Sequence, residues 1–427
     1  MLADALQLLK QYYGYDNFRP GQAKIVASIL QNTDTLGIMP TGGGKSICYQ
    51  IPALLWPGTT MVISPLISLM KDQVDTLNGL GIAAAFINSS LSAQAARERL
   101  QAARQGRYKL LYTAPERLQS EGFRTHLKSL NIPLVAVDEA HCVSQWGHDF
   151  RPSYLAIADL ISHLPSRPVV TAFTATATEA VVEDIAKHLG LVKPGIFLTG
   201  FDRVNLAYAV WRGADKQQFI LQFLKAKAGQ SGIIYAATRK EVDQIHHLLA
   251  QNGWRANRYH AGLGEKERSA AQEAFLDDHV RLMVATNAFG MGIDKPNVRF
   301  VLHYTMPKNM ESYYQEAGRA GRDGEPSECV LLFGPQDIAL QKFLLERGQI
   351  SPERKLGEYK KLQAMVDYCY TTACLRRFIL NYFGEHEASE TCDNCSNCRN
   401  VGARAKAVAV PSGIFSFIGR MRELLRS

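Results

Sequence analysis

The segment Met39-Pro-Thr-Gly-Gly-Gly-Lys-Ser46 constrains this chain more than any other, because it follows a short apolar run and opens a helical pattern. Thr41 with Gly42, Gly43 and Gly44 makes a loop whose backbone N–H groups can turn toward one anion, and the helix N-terminus behind it adds its dipole. Such a loop works between a strand and a helix, which commits this part of the chain to an α/β fold. Lys45 then reaches the β- and γ-phosphates of a nucleotide, and Ser46 offers a hydroxyl to Mg²⁺, which prefers hard oxygen ligands. A glycine-rich turn can also be only a turn, so the second segment decides. Leu134-Val-Ala-Val137 reads as a buried parallel strand and ends in Asp138 and Glu139. Asp138 is placed to hold magnesium through water, and Glu139 to orient or deprotonate an attacking water. The two segments in this order imply hydrolysis of a nucleoside triphosphate.

Strand-like runs recur at 35–39, 60–64, 109–113, 134–137 and 169–173, with helical spacing at 66–80 and 94–103. That alternation predicts a parallel sheet with polar residues gathered at its strand C-terminal ends, where such sheets bind ligands. A second series begins near Asn205, with runs at 232–235, 282–285, 300–303 and 329–333, and has no second phosphate loop. Within it, Gln315-Glu-Ala-Gly-Arg-Ala-Gly-Arg-Asp-Gly324 sets Arg319 and Arg322 three apart, so that on a helical turn both guanidinium groups share one face. An arginine that neutralises charge on a transferred phosphoryl group is worth roughly 10³ to 10⁵ in rate. Arg322 is expected as that finger and Arg319 as its partner; the plainer reading is a solvated basic helix end.

The last block opens with the helical spacing of Leu356, Tyr359, Leu362, Val366, Cys369 and Tyr370, and then reaches Cys374 and Cys392-Asp-Asn-Cys395-Ser-Asn-Cys398. Two C-x₂-C pairs sharing Cys395, with one cysteine from a helix, suit four-thiolate tetrahedral zinc with a closed coordination sphere. Cys369 rivals Cys374 for the fourth place. In an intracellular chain metal is a better reading than disulfides, and Cys48, Cys142 and Cys329 read as small packed side chains.

From residue 12 to residue 398 the ordered series of segments resembles the RecQ-family DNA helicases of helicase superfamily 2. The resemblance implies two tandem RecA-like parallel-sheet domains at 1–204 and 205–335, a small helical zinc-binding module at 336–400, and a basic tail at 401–427. Gly14-Tyr-Asp-Asn-Phe-Arg-Pro-Gly-Gln22 is similar to the family's adenine-recognition motif. There Gln22 would pair with adenine N6 and N7, Tyr15 would stack on the base, and Arg19 would contact base or phosphates. Ser64-Pro-Leu-Ile-Ser-Leu-Met-Lys-Asp-Gln73 and Thr113-Ala-Pro-Glu-Arg117 resemble segments that grip a single-stranded backbone, with Lys71 and Arg117 suited to phosphates. Phe173-Thr-Ala-Thr-Ala-Thr178 resembles the link between the ATP site and that track, and the Thr and Ser residues can equally be caps. Asp294, in the segment 285–294, is placed to contact the ribose or the arginine pair.

Most diagnostic of the family is His141-Cys-Val-Ser-Gln-Trp-Gly-His-Asp-Phe-Arg-Pro-Ser-Tyr154, which resembles its aromatic-rich loop. Trp146, His148, Phe150 and Arg151 offer flat faces and a cation for stacking on bases, at ~1 to 3 kcal/mol each. With His141 they adjoin the carboxylates, so base occupancy can be felt at Glu139. After Cys398 the sequence runs only to Ser427, less than the winged-helix or helical accessory (HRDC) domain of many relatives, so the resemblance is to a short form. Its tail carries Arg404, Lys406, Arg420, Arg422 and Arg426 and reads as a basic amphipathic helix or a solvated terminus.

The net charge of +8 and pI of 9.0 suit a polyanionic partner. Residues 1–10 lack a basic leader and have amphipathic helical spacing, and no apolar run approaches the ~18 residues of a membrane span. The resemblance implies ATP, Mg²⁺ and Zn²⁺ as cofactors, single-stranded and forked DNA as partners, and single-strand-binding or recombination proteins beside them. It implies a cytoplasmic location, nucleoid-associated in a bacterium, and 3′ to 5′ unwinding in repair and recombination. The competing readings are a DNA-stimulated ATPase or annealing factor and, from another class, an RNA helicase.

Overall fold

The computed structural model describes residues 1–399 apart from 148, 291, 292, 294, 349, 350 and 387. Two sheets, parallel throughout, carry the architecture. The first contains β1 (Thr35–Ile38), β2 (Thr60–Ile63), β3 (Ala84–Ile87), β4 (Leu110–Thr113), β5 (Leu134–Val137), β6 (Val169–Thr174) and β7 (Gly195–Leu198), in the order β3-β4-β2-β5-β6-β1-β7. The second contains β8 (Leu206–Arg212), β9 (Ser231–Tyr235), β10 (Ala256–Tyr259), β11 (Leu282–Ala285), β12 (Val298–His303) and β13 (Ser327–Phe333), in the order β10-β11-β9-β12-β13-β8. Parallel neighbours need crossovers, and helices supply them on both faces.

The inner strands read as continuous apolar runs because both their faces are covered, and alternate side chains feed different cores. Met61, Ile63, Val135 and Val137 enter one apolar core, while Val62, Leu134 and Ala136 enter another. The first of these cores continues without a break through Ile233, Val301 and Tyr313 into Leu362, Leu375 and Phe383. A third covers the far face of the second sheet around Ile234, Phe300 and Leu302.

β3, β7, β8 and β10, which the apolar runs do not predict, are the four sheet edges. Covered on fewer sides, edges need no unbroken apolar run: Ala-Asn-Arg-Tyr of β10 is half-buried at every position, and β8 alternates.

Of the C-terminal helices, Pro335–Arg347 packs on Pro352–Tyr370, Pro352–Tyr370 and Leu375–Tyr382 pack on the helix Met310–Ala317, and Leu375–Tyr382 also packs against the edge strand β8. The Arg212 side chain donates to the carbonyls of Cys369 at 2.6 Å and Thr371 at 2.8 Å, and Ser396 N–H donates to Tyr208 O at 2.8 Å. Phe201, just before β8, stacks on Phe383 with ring centres 4.6 Å apart. The buried Arg376 donates to Asp202, to Arg203 O at 2.7 Å and to Leu206 O at 2.6 Å. The three-helix region is therefore built into the second sheet's edge. No helix among the described residues is long and apolar enough to cross a membrane.

Candidate active site

The phosphate loop leaves the C-terminal end of β1 and runs into the helix Lys45–Leu55. Gly42 and Gly44 have φ of 81° and 78°, the left-handed region where a side chain is strained. Space adds to this at Gly44, because a Cβ there would stand 2.4 Å from Gln22 Nε2. Buried Gln22 donates through Nε2 to Gly43 O at 3.2 Å and Gly44 O at 3.0 Å, and its Oε1 accepts from Arg19 N–H at 2.8 Å. Arg19 Nη1 donates to Gly42 O at 2.6 Å. Both ends of the Gln22 amide thus brace the loop, and pairing with adenine requires that these bonds be exchanged. Tyr15 is exposed, as stacking on a base requires.

The carboxylates leave β5, one strand beyond β6 from the loop. Asp138 N–H donates to Ile63 O at 2.8 Å, Tyr154 Oη to Asp138 O at 2.8 Å, and Ser64 Oγ to Asp138 Oδ2 at 3.5 Å. Burial, and then the neighbouring Glu139, push the Asp138 carboxyl up to about 6 against the pull of Lys45. Glu139 holds φ 47° and ψ 47°, a left-handed backbone rare outside glycine and asparagine. Its Oε2 is buried without a hydrogen-bond donor, although His141 Nδ1 stands 3.3 Å away. Burial, then the charges of Lys45, Arg151 and Lys361, bring His141 down to about 3, so it is neutral and this approach is no ion pair. Its Nδ1 lies 3.0 Å from Thr174 Oγ1 at the end of β6.

The second sheet closes on this loop through Arg203, a residue with no motif around it. Arg203 Nη1 donates to Thr41 O at 3.0 Å and Gly318 O at 3.3 Å, and Nη2 to Ala320 O at 3.0 Å and Gly321 O at 2.7 Å. One side chain therefore spans the phosphate loop and the turn carrying the arginine pair. Arg322 lies against the loop, with its Cγ 3.5 Å from where a Gly42 Cβ would be. The expectation that Arg319 and Arg322 share a helix face needs correction. The helix Met310–Ala317 stops at Gly318, Gly321 turns with φ 56°, and Arg203 takes up the freed carbonyls. Arg319 instead lies buried and donates to Gly290 O.

The aromatic-rich loop begins with the short 3₁₀ turn Ala140–Val143. A Cβ on Gly147 would fall 2.2 Å from His141 O, so the turn admits only glycine. Arg151 N–H donates to Cys142 O at 2.8 Å, closing the loop. The Arg151 guanidinium is held through Nε and Nη2 by Asp149 Oδ2 at 3.0 Å each, and Nη1 donates to Pro65 O at 3.2 Å. That last bond ties the loop to the segment 64–73. Trp146 is 45% exposed, leaving part of its ring free for a ligand. Phe150 is half-buried beneath Arg354, 5.2 Å from its ring centre. Lys71 is exposed on the helix Ile67–Gly79, and Arg117 is half-buried 5.7 Å from the Phe123 ring centre. His148, Asp294 and the tail 401–427 lie outside the described residues.

The sulfurs of Cys374, Cys392, Cys395 and Cys398 all lie within 4.8 Å of one another. Tetrahedral zinc with Zn–S near ~2.3 Å separates its sulfurs by about 3.8 Å, so the donors fit with little adjustment. Cys395 Sγ and Cys374 Sγ stand 4.0 Å apart. Backbone N–H groups of Leu375 and Cys398 point at Cys395 Sγ at 3.4 and 3.5 Å, a pattern suited to thiolate. Burial pushes the Cys374 thiol up to about 12; at Cys395, burial opposes ionisation but the N–H bonds of Cys398 and Leu375 bring the thiol down to about 7. Cys369 is buried in the preceding helix and is not part of the cluster.

Three family models match the chain in order: DEAD/DEAH box helicase over residues 19–185, helicase conserved C-terminal domain over 215–324, and RecQ zinc-binding over 335–399. The ATP-dependent DNA helicase RecQ of Bacillus subtilis (strain 168) is 53% identical over 424 residues, covering 99% of this chain and 71% of that protein. The protein of the same name from Pasteurella multocida is 46% identical over 391 residues, covering 91% of this chain and 61% of that protein. Among solved structures, the Mycobacterium smegmatis helicase Lhr bound to ssDNA and AMP-PNP superposes with a TM-score of 0.61 at 20% identity, covering 86% of this chain and 57% of that one; this likeness bears on the fold alone. With two parallel-sheet units, a four-cysteine cluster and this ordered match, the chain belongs to the RecQ family of ATP-dependent DNA helicases.

Proposed function

We propose that this chain couples ATP hydrolysis to 3′ to 5′ movement along one DNA strand and so separates duplexes in repair and recombination. The observation that carries the reading is Arg203, bonded at once to Thr41 on the phosphate loop and to the turn 318–321, with Arg322 against the same loop. Hydrolysis then depends on how the two sheets sit together, which is what a translocating motor needs.

The backbone of 41–44 cradles the phosphates and Lys45 draws charge toward the β–γ bridge. Magnesium, when bound, neutralises phosphate charge, with Ser46 and, through water, Asp138 as its holders. Glu139, strained and short of a donor at Oε2, accepts a proton from the attacking water and aligns it with the γ-phosphorus. As the bond to the β–γ bridging oxygen breaks, Arg322 meets the charge on the leaving side and Arg319 steadies the turn. Tyr15, Arg19 and Gln22 take the adenine end, and the role proposed for Asp294 is contact with the ribose or with the arginine pair. Lys71 and Arg117 hold strand phosphates; Trp146, His148, Phe150 and Arg151 meet bases and pass occupancy through His141 to Glu139. The four cysteines hold structural zinc.

Unwinding of matched duplexes with 3′ and 5′ single-stranded tails tests the reading, with the 3′-tailed substrate expected to open faster. Equal or reversed rates sink the polarity, and ATP turnover unaffected by DNA sinks the coupling.

A further inference from the structure

The segment 64–73 ends in Gln73, a residue that no step above uses, and both ends of its carboxamide are engaged. Nε2 donates to Ser46 Oγ at 2.9 Å, while Oε1 accepts from Tyr49 Oη at 3.1 Å and Tyr112 Oη at 2.9 Å. Tyr112 in turn accepts from Gln50 Nε2 at 3.2 Å, and Gln50 Oε1 accepts from Tyr13 Oη at 2.9 Å. Tyr49 and Tyr112 are buried and their hydroxyls stay protonated, Tyr112 being pushed up to about 12 by burial. Two phenol donors on one side fix which way the amide points, so its NH₂ faces Ser46.

A serine hydroxyl has one O–H and two lone pairs. The bond from Gln73 occupies one lone pair, and the O–H is thereby kept from turning toward Gln73. One lone pair and the O–H remain for other partners, and a hydroxyl that holds a metal through a lone pair needs its orientation fixed in this way.

We propose that Gln73 is a positioning residue for the magnesium site, orienting Ser46 and fastening it to the helix Ile67–Gly79 that follows the strand-gripping segment. The inference rests on the proposed function for the role of Ser46 and deepens it. A bound strand that shifts this helix changes the Ser46 hydroxyl, and a filled magnesium site holds the helix in place.

The test is the equilibrium affinity of the full chain for a fluorescent ADP analogue, measured in Mg²⁺ and in EDTA, with thermal melting alongside. Gln73→Met keeps the length and removes the donor; Gln73→Glu keeps both phenol bonds and replaces the donor with an acceptor, and it serves if the first variant melts early. In both, the gain in affinity from Mg²⁺ is expected to shrink by about fivefold, the worth of one hydrogen bond, with affinity in EDTA unchanged. Tyr13→Phe, at the far end of the network, is expected to keep the full gain. Variants that retain the gain, or lose affinity equally in Mg²⁺ and EDTA, overturn the proposal. A wild-type chain that binds no ADP analogue at all overturns the proposed function instead.

Discussion

Lys361 Nζ donates to the backbone carbonyl of Trp146 at 2.6 Å, reaching from the helix Pro352–Tyr370 to the aromatic-rich loop. On the same helix, Gly357 leaves room for the Trp146 ring, which would stand 3.1 Å from a Cβ there. The family's zinc-binding region thus holds the loop proposed to meet DNA bases. A loop already held loses less conformational freedom on binding. Lys361→Met is therefore expected to raise the oligo(dT) concentration that half-activates ATP turnover by about tenfold, since a charged hydrogen bond is lost. An ATPase titration reads this directly, and an unchanged midpoint would show that the contact holds nothing the DNA uses.

Arg322 and Arg203 reach the same loop by different means, and their substitutions are expected to separate. Arg322→Ala is expected to cut kcat by about 10³ while leaving Mg–ADP affinity nearly intact, because the finger acts on charge that develops during transfer. Arg322→Lys does not restore it, because an ammonium cannot present the guanidinium's planar set of donors. Arg203→Ala takes the side-chain donor from the carbonyls of Thr41, Gly318 and Ala320, while Gly321 O keeps Asn205 Nδ2 at 2.9 Å. It is expected to lower both turnover and the melting temperature, by about 2 to 3 kcal/mol in stability. Single-turnover ATPase and thermal melts of the two variants side by side decide the matter.

Zinc is expected at one equivalent per chain by elemental analysis, and its removal to do more than loosen a small module. Apparent binding free energy for such sites runs to roughly 10 to 16 kcal/mol. The helices it closes share an apolar core with the second sheet, through Phe383 on Phe201 and Arg376 on the 202–206 backbone. Cys395→Ser, at the most buried ligand, is therefore expected to abolish zinc content and to lower the melting temperature of the whole chain. A zinc-free variant with wild-type melting would place the cluster outside the folding unit.

The inner strands and the phosphate loop were legible because their chemistry is local: a run buried on both faces must be apolar, and a loop that presents N–H groups must be glycine-rich. The same holds for Cys392, Cys395 and Cys398, whose spacing alone brings three sulfurs together. The edge strand β10 was not legible, since Ala-Asn-Arg-Tyr has no period to read and its pairing with β11 is decided by tertiary contact. Arg203 and Gln73 stayed hidden for a related reason. Each acts on groups far away in sequence, Thr41 and Gly321 for one and Ser46 for the other, and a lone Arg or Gln carries no local signature of such a bond. The helix end before Arg319 could have been found, because Gly318 and Gly321 are ordinary stop signals.

Gly147 gives the sharpest separation between the ATP site and its coupling to DNA. Its missing side chain lets the backbone turn back on His141 O, which an added Cβ would meet at 2.2 Å, and the obstacle is backbone that cannot rotate away. Gly147→Ala is thus expected to force the loop out of register and to carry Trp146 and Phe150 with it. Loss of one or two stacking contacts, at ~1 to 3 kcal/mol each, predicts a drop of about tenfold or more in the DNA-stimulated rate. The phosphate loop leaves a different strand, β1 rather than β5. Mg–ADP binding is therefore expected to survive, read with the same fluorescent analogue. If Gly147→Ala instead abolishes nucleotide binding and leaves DNA stimulation proportionate, the loop is a strut of the ATP site and not its link to DNA.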